Sequence, residues 1–301
     1  VCSSDLMSDL TTSPLIVSVG DLIEEIAVRL SAPWRRGSDA AAAITTRRGG
    51  SAANVAVAAA AAGGRARFVG AIGDDAAGSA LERALIDAGV EPQLQRRGRS
   101  ARIIVIVEPD GERTMLPDRA AALTLSIAAD RRPAQLEGVA HLHAPAYSLI
   151  GEPLARSTKN LFAAAAAAGA TTSLDASSVG AIAAWGPEAS RDRFATLQPS
   201  ILFANEEEAE YLDLLARPLP GSTLVLKRGP GVAAVHDESG AVLARLSAPP
   251  IDGWVDTTGA GDAFAGGLLV AHAMCASWED ALAAGHAAAR RHLLAQREAQ
   301  R

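Results

Sequence analysis

Near its carboxyl end the chain reads Asp256-Thr257-Thr258-Gly259-Ala260-Gly261-Asp262-Ala263-Phe264-Ala265-Gly266-Gly267, small residues with two carboxylates that open onto an apolar stretch, Leu268 to Met274, with helical character. Glycines at 259 and 261 let the backbone turn and approach a ligand closely, and the first amides of a new helix have no intrahelical partners. Reinforced by the helix dipole, such amides suit a phosphate. Asp262 falls in the first helical turn, where the dipole is expected to keep it ionised. A carboxylate beside an anion site needs a task, and accepting the proton of an attacking hydroxyl is one.

The elements that must position these residues follow a strand-then-helix rhythm. Leu15 to Val19 reads as a buried strand ending in Gly20, and Leu22 to Leu30 as a second extended stretch. Ser51 to Ala62 is an alanine-rich helix introduced by Gly49-Gly50, followed by a strand at Arg67 to Ala71 and a helix at Ala76 to Ala88. Arg102 to Val107, Pro109-Asp110-Gly111 and Glu112 to Leu116 form a hairpin signal that interrupts the rhythm. We assign that hairpin and the Leu22 to Leu30 region to a small β appendage.

The rhythm resumes with strands at Val139 to His143, Thr171 to Asp175, Ser200 to Phe203, Thr223 to Lys227 and Val232 to Val235. Helices are expected at Pro153 to Ala168, at Glu206 to Leu215, after Gly261 and from Trp278. Alternation of this kind implies an α/β fold whose mainly parallel sheet is covered on both faces. In such sheets ligands collect at the carboxyl ends of the strands.

Read together, Gly49-Gly50-Ser51-Ala52-Ala53-Asn54 and the Asp256 to Asp262 run resemble the paired signatures of the ribokinase-like (PfkB) carbohydrate kinases, over nearly the whole chain from Val17 to about Leu294. The resemblance implies a three-layer αβα sandwich over residues 14–295 with a β-sheet lid from about 22–48 and 98–117. It implies ATP and Mg2+ as cofactors and Asp262 as catalytic base. The backbone of Gly259, Ala260 and Gly261 would hold the charge of the transferring phosphoryl group. Asp256 and Thr258 match positions that in many relatives bind a monovalent cation such as K+. Gly49, Gly50 and Asn54 match sugar-contacting positions, although a glycine pair also serves simply as helix entry.

Further along, Asn205 and Glu208 match the Asn-x-x-Glu element that organises magnesium through water, while the acidic run Glu206-Glu207-Glu208 alone would equally be a favourable first helical turn. Lys227-Arg228-Gly229-Pro230-Gly231 resembles the loop beside the nucleotide, with Gly229 and Gly231 one residue closer than is usual. His286 matches a position near adenine. Glu25 stands where an Asp is common, so the substrate or its pose is expected to differ, and Asp21 is placed to share its task. Tyr147, Asp118 and Arg119 are further substrate-side candidates, Arg119 for a carboxylate-bearing substrate. Gly73-Asp74-Asp75 reads as loop structure. His141 and His143, two apart on one strand, present either a zinc-binding pair or a lining of the sugar pocket.

Composition sets the outer limits. Of 301 residues, 49% are hydrophobic and only 4% aromatic, so the core must be built from Ala, Val, Leu and Ile. A net charge of −6 opposes a nucleic-acid surface. Lysine occurs only at Lys159 and Lys227. With cysteines only at Cys2 and Cys275, no disulfide framework or cysteine metal site is expected. No membrane-spanning run is seen, so a cytoplasmic protein is expected, with residues 1–6 as a leader outside the native chain and Met7 as a start. The expected activity is ATP-dependent phosphorylation of an alcohol group on a small sugar-like substrate, in a homodimer. A nucleoside kinase and a catalytically silent sugar sensor are the rivals. A dinucleotide-dependent dehydrogenase is disfavoured because Gly-x-Gly-x-x-Gly is missing after the first strand.

Overall fold

The computed structural model describes residues 13–251 and 256–299; the expectations placed on residues 1–6 and Cys2 lie outside the described residues. The chain opens with β1 (Leu15–Val19), β2 (Ile23–Leu30), β3 (Ala42–Gly49), α1 (Ser51–Ala61), β4 (Arg65–Ile72), α2 (Ala76–Asp87) and β5 (Val90–Arg96). A hairpin of β6 (Arg102–Val107) and β7 (Arg113–Asp118) precedes α3 (Arg132–Leu136), β8 (Val139–Pro145), α4 (Leu154–Ala167) and β9 (Thr171–Asp175). Then come α5 (Val179–Ile182), α6 (Pro187–Leu197), β10 (Ile201–Asn205), α7 (Glu206–Tyr211), β11 (Thr223–Lys227), β12 (Val232–His236) and β13 (Val242–Ser247). The final helices are α8 (Ala260–Ala273) and α9 (Trp278–Ala299).

Nine strands form one sheet in the order β13-β12-β11-β10-β9-β8-β1-β4-β5, parallel except for β12 and β13. A separate four-stranded sheet, β3-β2-β6-β7, unites the second extended stretch with the hairpin through parallel pairing of β2 and β6. The period of two along each strand splits the core. Val17, Leu142, Leu174, Leu202 and Leu224 meet Leu161 and Phe162 of α4 and Phe194 of α6 on one face. Ile16, Phe68, Phe203, Val225 and Val235 pack with α1, α8 and α9 on the other. Full burial of such side chains contributes roughly 1.5–3 kcal/mol each.

The alanine excess has a steric purpose. Helix α8 lies between α1 and α9 so tightly that a Cβ on Gly266 would stand 2.6 Å from the Ala58 Cβ, and one on Gly267 2.6 Å from the Ala288 Cβ. Larger side chains at these positions would push α8, and the Asp262 it carries, out of place. Strand order reverses at β1, whose neighbours are β4 and β8, and a crevice forms where the chain leaves the strands in opposite directions. No helix among the described residues is long and apolar enough to cross a membrane.

Candidate active site

Asp262 stands in the first turn of α8, half-buried, and both its oxygens face α1. Ser51 Oγ donates to Oδ1 at 2.7 Å and Asn54 Nδ2 to Oδ2 at 2.9 Å. These bonds exist because Gly50, at φ 104°, starts α1 directly against the Asp21 carbonyl; a Cβ there would lie 2.2 Å from that oxygen. Burial pushes the Asp262 pKa up, the Ser51 and Asn54 bonds work against it, Asp175 adds to the rise and Lys227 opposes it. Desolvation is thus the largest influence on a carboxylate whose place in the first helical turn favours the ionised form, and it shifts the group toward accepting a proton.

Just before it, Gly259 adopts a left-handed conformation at φ 77° that turns the chain into α8. The Thr258 carbonyl at that turn accepts from His292 Nε2 (2.8 Å) and Gln296 Nε2 (3.0 Å) of α9. The Ala260 amide is committed to the Thr257 carbonyl at 3.1 Å, so it is not among the free donors. The Gly261 and Asp262 amides have no protein acceptor among the described residues. Lys227 Nζ lies 3.3 Å from where a Gly261 Cβ would stand, placing an ammonium beside these amides.

Lys227, at the end of β11, ion-pairs with Asp175 at the end of β9 (2.5 Å), with side-chain exposures of 15% and 4%. Burial alone would lower the lysine's pKa, but Asp175, Glu208 and Asp262 outweigh it and the shift is upward. Between these strands, Asn205 and Glu208 form a reciprocal cap at the start of α7. Asn205 Oδ1 accepts from the Glu208 amide (2.8 Å), while the Glu208 carboxyl accepts from the Asn205 amide (2.9 Å) and Nδ2 (2.8 Å). Glu208 is nonetheless buried, and desolvation plus Asp175, opposed by Lys227, push its pKa up to about 7. A helix cap alone would need no such burial. Gly229 and Gly231 lie in the tight turn after β11, closed by the Gly231 amide on the Arg228 carbonyl (2.8 Å).

On the other side of Asp262 the arginines dominate. Arg119 holds Asp21 through two bonds of 2.8 Å and also donates to the carbonyls of Tyr147 (2.8 Å) and Ile150 (2.9 Å), so its fork ties the small sheet to β1 and β8. Four of its five N–H groups are thus spent within the protein, against the expectation of a carboxylate-binding residue. Arg47 Nε donates to Glu25 (2.8 Å), whose carboxylate rests against Gly49. Asp256 accepts from Arg113 (3.0 Å) and from Thr258 Oγ1 (2.7 Å), and lies 3.6 Å from Arg47. Tyr147 overlooks the carboxylates: burial raises its pKa, a bond with Ser178 lowers it, and Asp262, Glu208 and Asp175 raise it further.

Three further residues singled out in the sequence are engaged within the protein. Asp118 is exposed and paired with Arg99. Asp75 caps α2 and accepts from Ser100 Oγ and the Ser100 amide, which holds its pKa down at about 2. His286 is buried against Phe264, with ring centroids 5.1 Å apart, and donates to the Leu246 carbonyl (3.1 Å).

His141 and His143 are fully buried in the sheet and line no pocket. Thr171 Oγ1 gives its proton to the Ala140 carbonyl, so it accepts from His141 Nδ1; Ser173 Oγ then donates to His141 Nε2 and accepts from His143 Nδ1. This one-way chain requires the His141 ring neutral because its Nε2 accepts, while burial favours the neutral form of His143; His143 Nε2 and Ser18 Oγ are left without partners in matched register. It is a polar ladder, not a zinc pair.

Sequence reasoning passed over Ser51, Asp175, Arg47, Arg48 and Arg113. A signal existed for two of them, since Arg47-Arg48 directly precedes the glycine pair.

The family model described as "pfkB family carbohydrate kinase" matches residues 13–295. Fructokinase-1 of Zea mays is 32% identical over 225 residues, covering 68% of each chain. Adenosine kinase from Sinorhizobium meliloti superposes with a TM-score of 0.78 at 23% identity, covering 93% of both chains. Ribokinase of Arabidopsis thaliana, solved with ribose and ATP, gives 0.74 at 23% identity, covering 93% of this chain and 92% of the other. At these identities the two structures speak for the fold alone.

Proposed function

The chain belongs to the pfkB family of carbohydrate kinases, and from that premise we propose that it transfers the terminal phosphoryl group of ATP to an alcohol group of a small sugar-like acceptor. The observation that carries the reading is the Asp262 carboxylate, held by Ser51 and Asn54 beside two unengaged amides and the Lys227 ammonium. An acceptor hydroxyl bonded to Asp262 gives up its proton as its oxygen attacks the γ-phosphorus; the bond to the leaving oxygen breaks and ADP departs. The Gly261 and Asp262 amides and Lys227 stabilise the charge that spreads over the phosphoryl oxygens. Asn54, with one amide group on Asp262 and its oxygen facing Arg48, keeps the base aimed at the acceptor.

The donor set fits magnesium. A hard cation that keeps most of its waters needs one or two carboxylates, and Asp175 at the end of β9 and Glu208 in the first turn of α7 are both buried. Glu208, whose oxygens both accept from Asn205, would hold it through water; when bound, the ion supplies neutralisation of the phosphate charge. The residues do not fit a monovalent cation at Asp256, because the Arg113 guanidinium already provides its counter-charge and also reaches Thr258 Oγ1. That guanidinium and Arg47 join the small sheet to the loop before α8, as expected of a lid that excludes water.

The assembly reading is a homodimer in the cytoplasm. Ile44, Ile104 and Leu116 are 64%, 38% and 50% exposed, and Ile104 pairs with Leu116 and with Ile26 on one face of the small sheet. A second copy is the occupant proposed for that face, and sedimentation that gives a monomer at micromolar concentration would exclude it. The chemistry is tested by ADP release with MgATP against pentoses, hexoses, sugar acids and nucleosides. Turnover with at least one class is expected; ligand binding without ADP release from any would favour the silent sensor.

A further inference from the structure

On the acceptor side of Asp262 one of four arginines makes no ion pair with a carboxylate among the described residues. Three of the four arginines there are matched: Arg119 by Asp21, Arg47 by Glu25 and Arg113 by Asp256. Arg48, the last side chain of β3 before the glycine pair, has no carboxylate within ion-pair distance among the described residues. Its hydrogen bond is the one from Nη1 to Asn54 Oδ1, at 2.9 Å. A guanidinium carries five N–H donors in a planar fork suited to a carboxylate or phosphate. Burial depresses the Arg48 pKa, Asp262 raises it, Arg47 lowers it and Glu25 raises it. The carboxylate that acts most on Arg48, Asp262, is held by Ser51 and Asn54 and makes no ion pair with it, so most of the fork stays open to an anion from outside the protein.

Position decides which anion. Asn54 stands between Arg48 and Asp262, its oxygen toward the arginine and its nitrogen toward the base. Lys227 stands instead beside Gly261, where the kinase reading puts the nucleotide's phosphate. Resting on the kinase reading, we propose that Arg48 recognises an acidic group on the acceptor itself, so that the substrate class is a polyhydroxylated carboxylate or phosphate ester rather than a neutral sugar. Such an acceptor presents its hydroxyl to Asp262 while its acidic group takes the free edge of the Arg48 fork.

The test uses ligand sets that differ in charge: ribose, ribonate and ribose 5-phosphate, and glucose, gluconate and glucose 6-phosphate. Binding to the full chain is measured by calorimetry at low and high salt, and turnover by ADP release, for wild type, Arg48→Gln and Arg48→Lys. At least one charged member should bind about tenfold or more tighter than its neutral counterpart, an advantage shrinking with salt. Arg48→Gln should erase that advantage mainly through KM, and Arg48→Lys should retain part of it. The carboxylate and phosphate arms identify the source of the charge. Neutral members binding as tightly as charged ones would overturn the proposal, as would Arg48→Gln lowering kcat equally for every acceptor, which would assign Arg48 to the transferring phosphoryl group or to Asn54. If charged ligands bind through Arg48 while no ADP forms, this inference stands and the kinase reading falls; turnover without charge preference gives the reverse.

Discussion

Asn54 and Asp262 lie 208 residues apart in the chain, yet their side chains meet at 2.9 Å because α1 and α8 pack through alanine and glycine. Together with the Ser51 bond, this contact offsets part of the desolvation that raises the Asp262 pKa. Ser51→Ala or Asn54→Ala removes a bond that favours the ionised form, so the pKa should climb further. The acidic limb of the kcat/KM profile should then move to higher pH, with about a tenfold loss at neutral pH for a charged hydrogen bond. An unmoved limb would detach these residues from the base.

Gly259→Ala should destabilise the protein by about 1–2 kcal/mol and slow turnover, because an L-residue resists the left-handed conformation. Its Cβ would also press to 2.9 Å from His292 Nε2. Gly229→Ala is the comparison: its φ is 51°, but a Cβ there meets nothing within 4 Å. Thermal melts of the two variants, with ADP release alongside, separate strain from displacement of the amides. Equal melting and equal activity would contradict the role given to the turn.

The sequence made the sheet's interior legible and its margins obscure. Strands β1, β9 and β11 have the expected limits, since each is a short run of mainly β-branched or apolar residues that is mostly buried and leads directly into a loop. The three strands not foreseen, β3, β5 and β13, are all edge strands. With one flank in water they carry polar sequences such as AAITTRRG and VEPQLQR, the first without apolar alternation and the second with only Val90 and Leu94 to set beside Pro92. Helix α6 escaped for a similar reason, burying little beyond Phe194 and Leu197. In the site, Asp262 and Asn54 stood out because glycine runs flank them, whereas Asp175 looked like an ordinary strand end. Its importance comes from the register that sets it between β8 and β10 and within reach of Lys227.

The Asp175–Lys227 pair is buried enough that removing one partner strands the other. Lys227→Met should cost about 3 kcal/mol of stability in denaturant titrations, and Asp175→Asn a comparable amount. The double variant should lose clearly less than the sum of the two. Additive losses would mean that the charges are independent.

Acid stability should report the histidine ladder. Burial, opposed by Asp175 and helped by Lys227, pushes the His143 pKa down to about 4 from the usual 6.5. Between those values the unfolded chain binds a proton that the folded one refuses. The neutral ring's contribution is therefore complete above 6.5 and disappears as pH falls through 4, a swing of about 3 kcal/mol. His143→Leu should flatten the stability-against-pH curve over that window by a similar amount. A variant with the wild-type slope would show that His143 takes up its proton in the folded state.

The central claim, that Asp262 takes the proton of the acceptor hydroxyl, is met most directly by single-turnover phosphoryl transfer in Asp262→Asn, using an acceptor established by the ADP-release panel and ATP binding measured in parallel. The account predicts a rate lower by about 10²–10⁴ with ATP affinity within a few-fold of wild type. Transfer at the wild-type rate in that variant would contradict it.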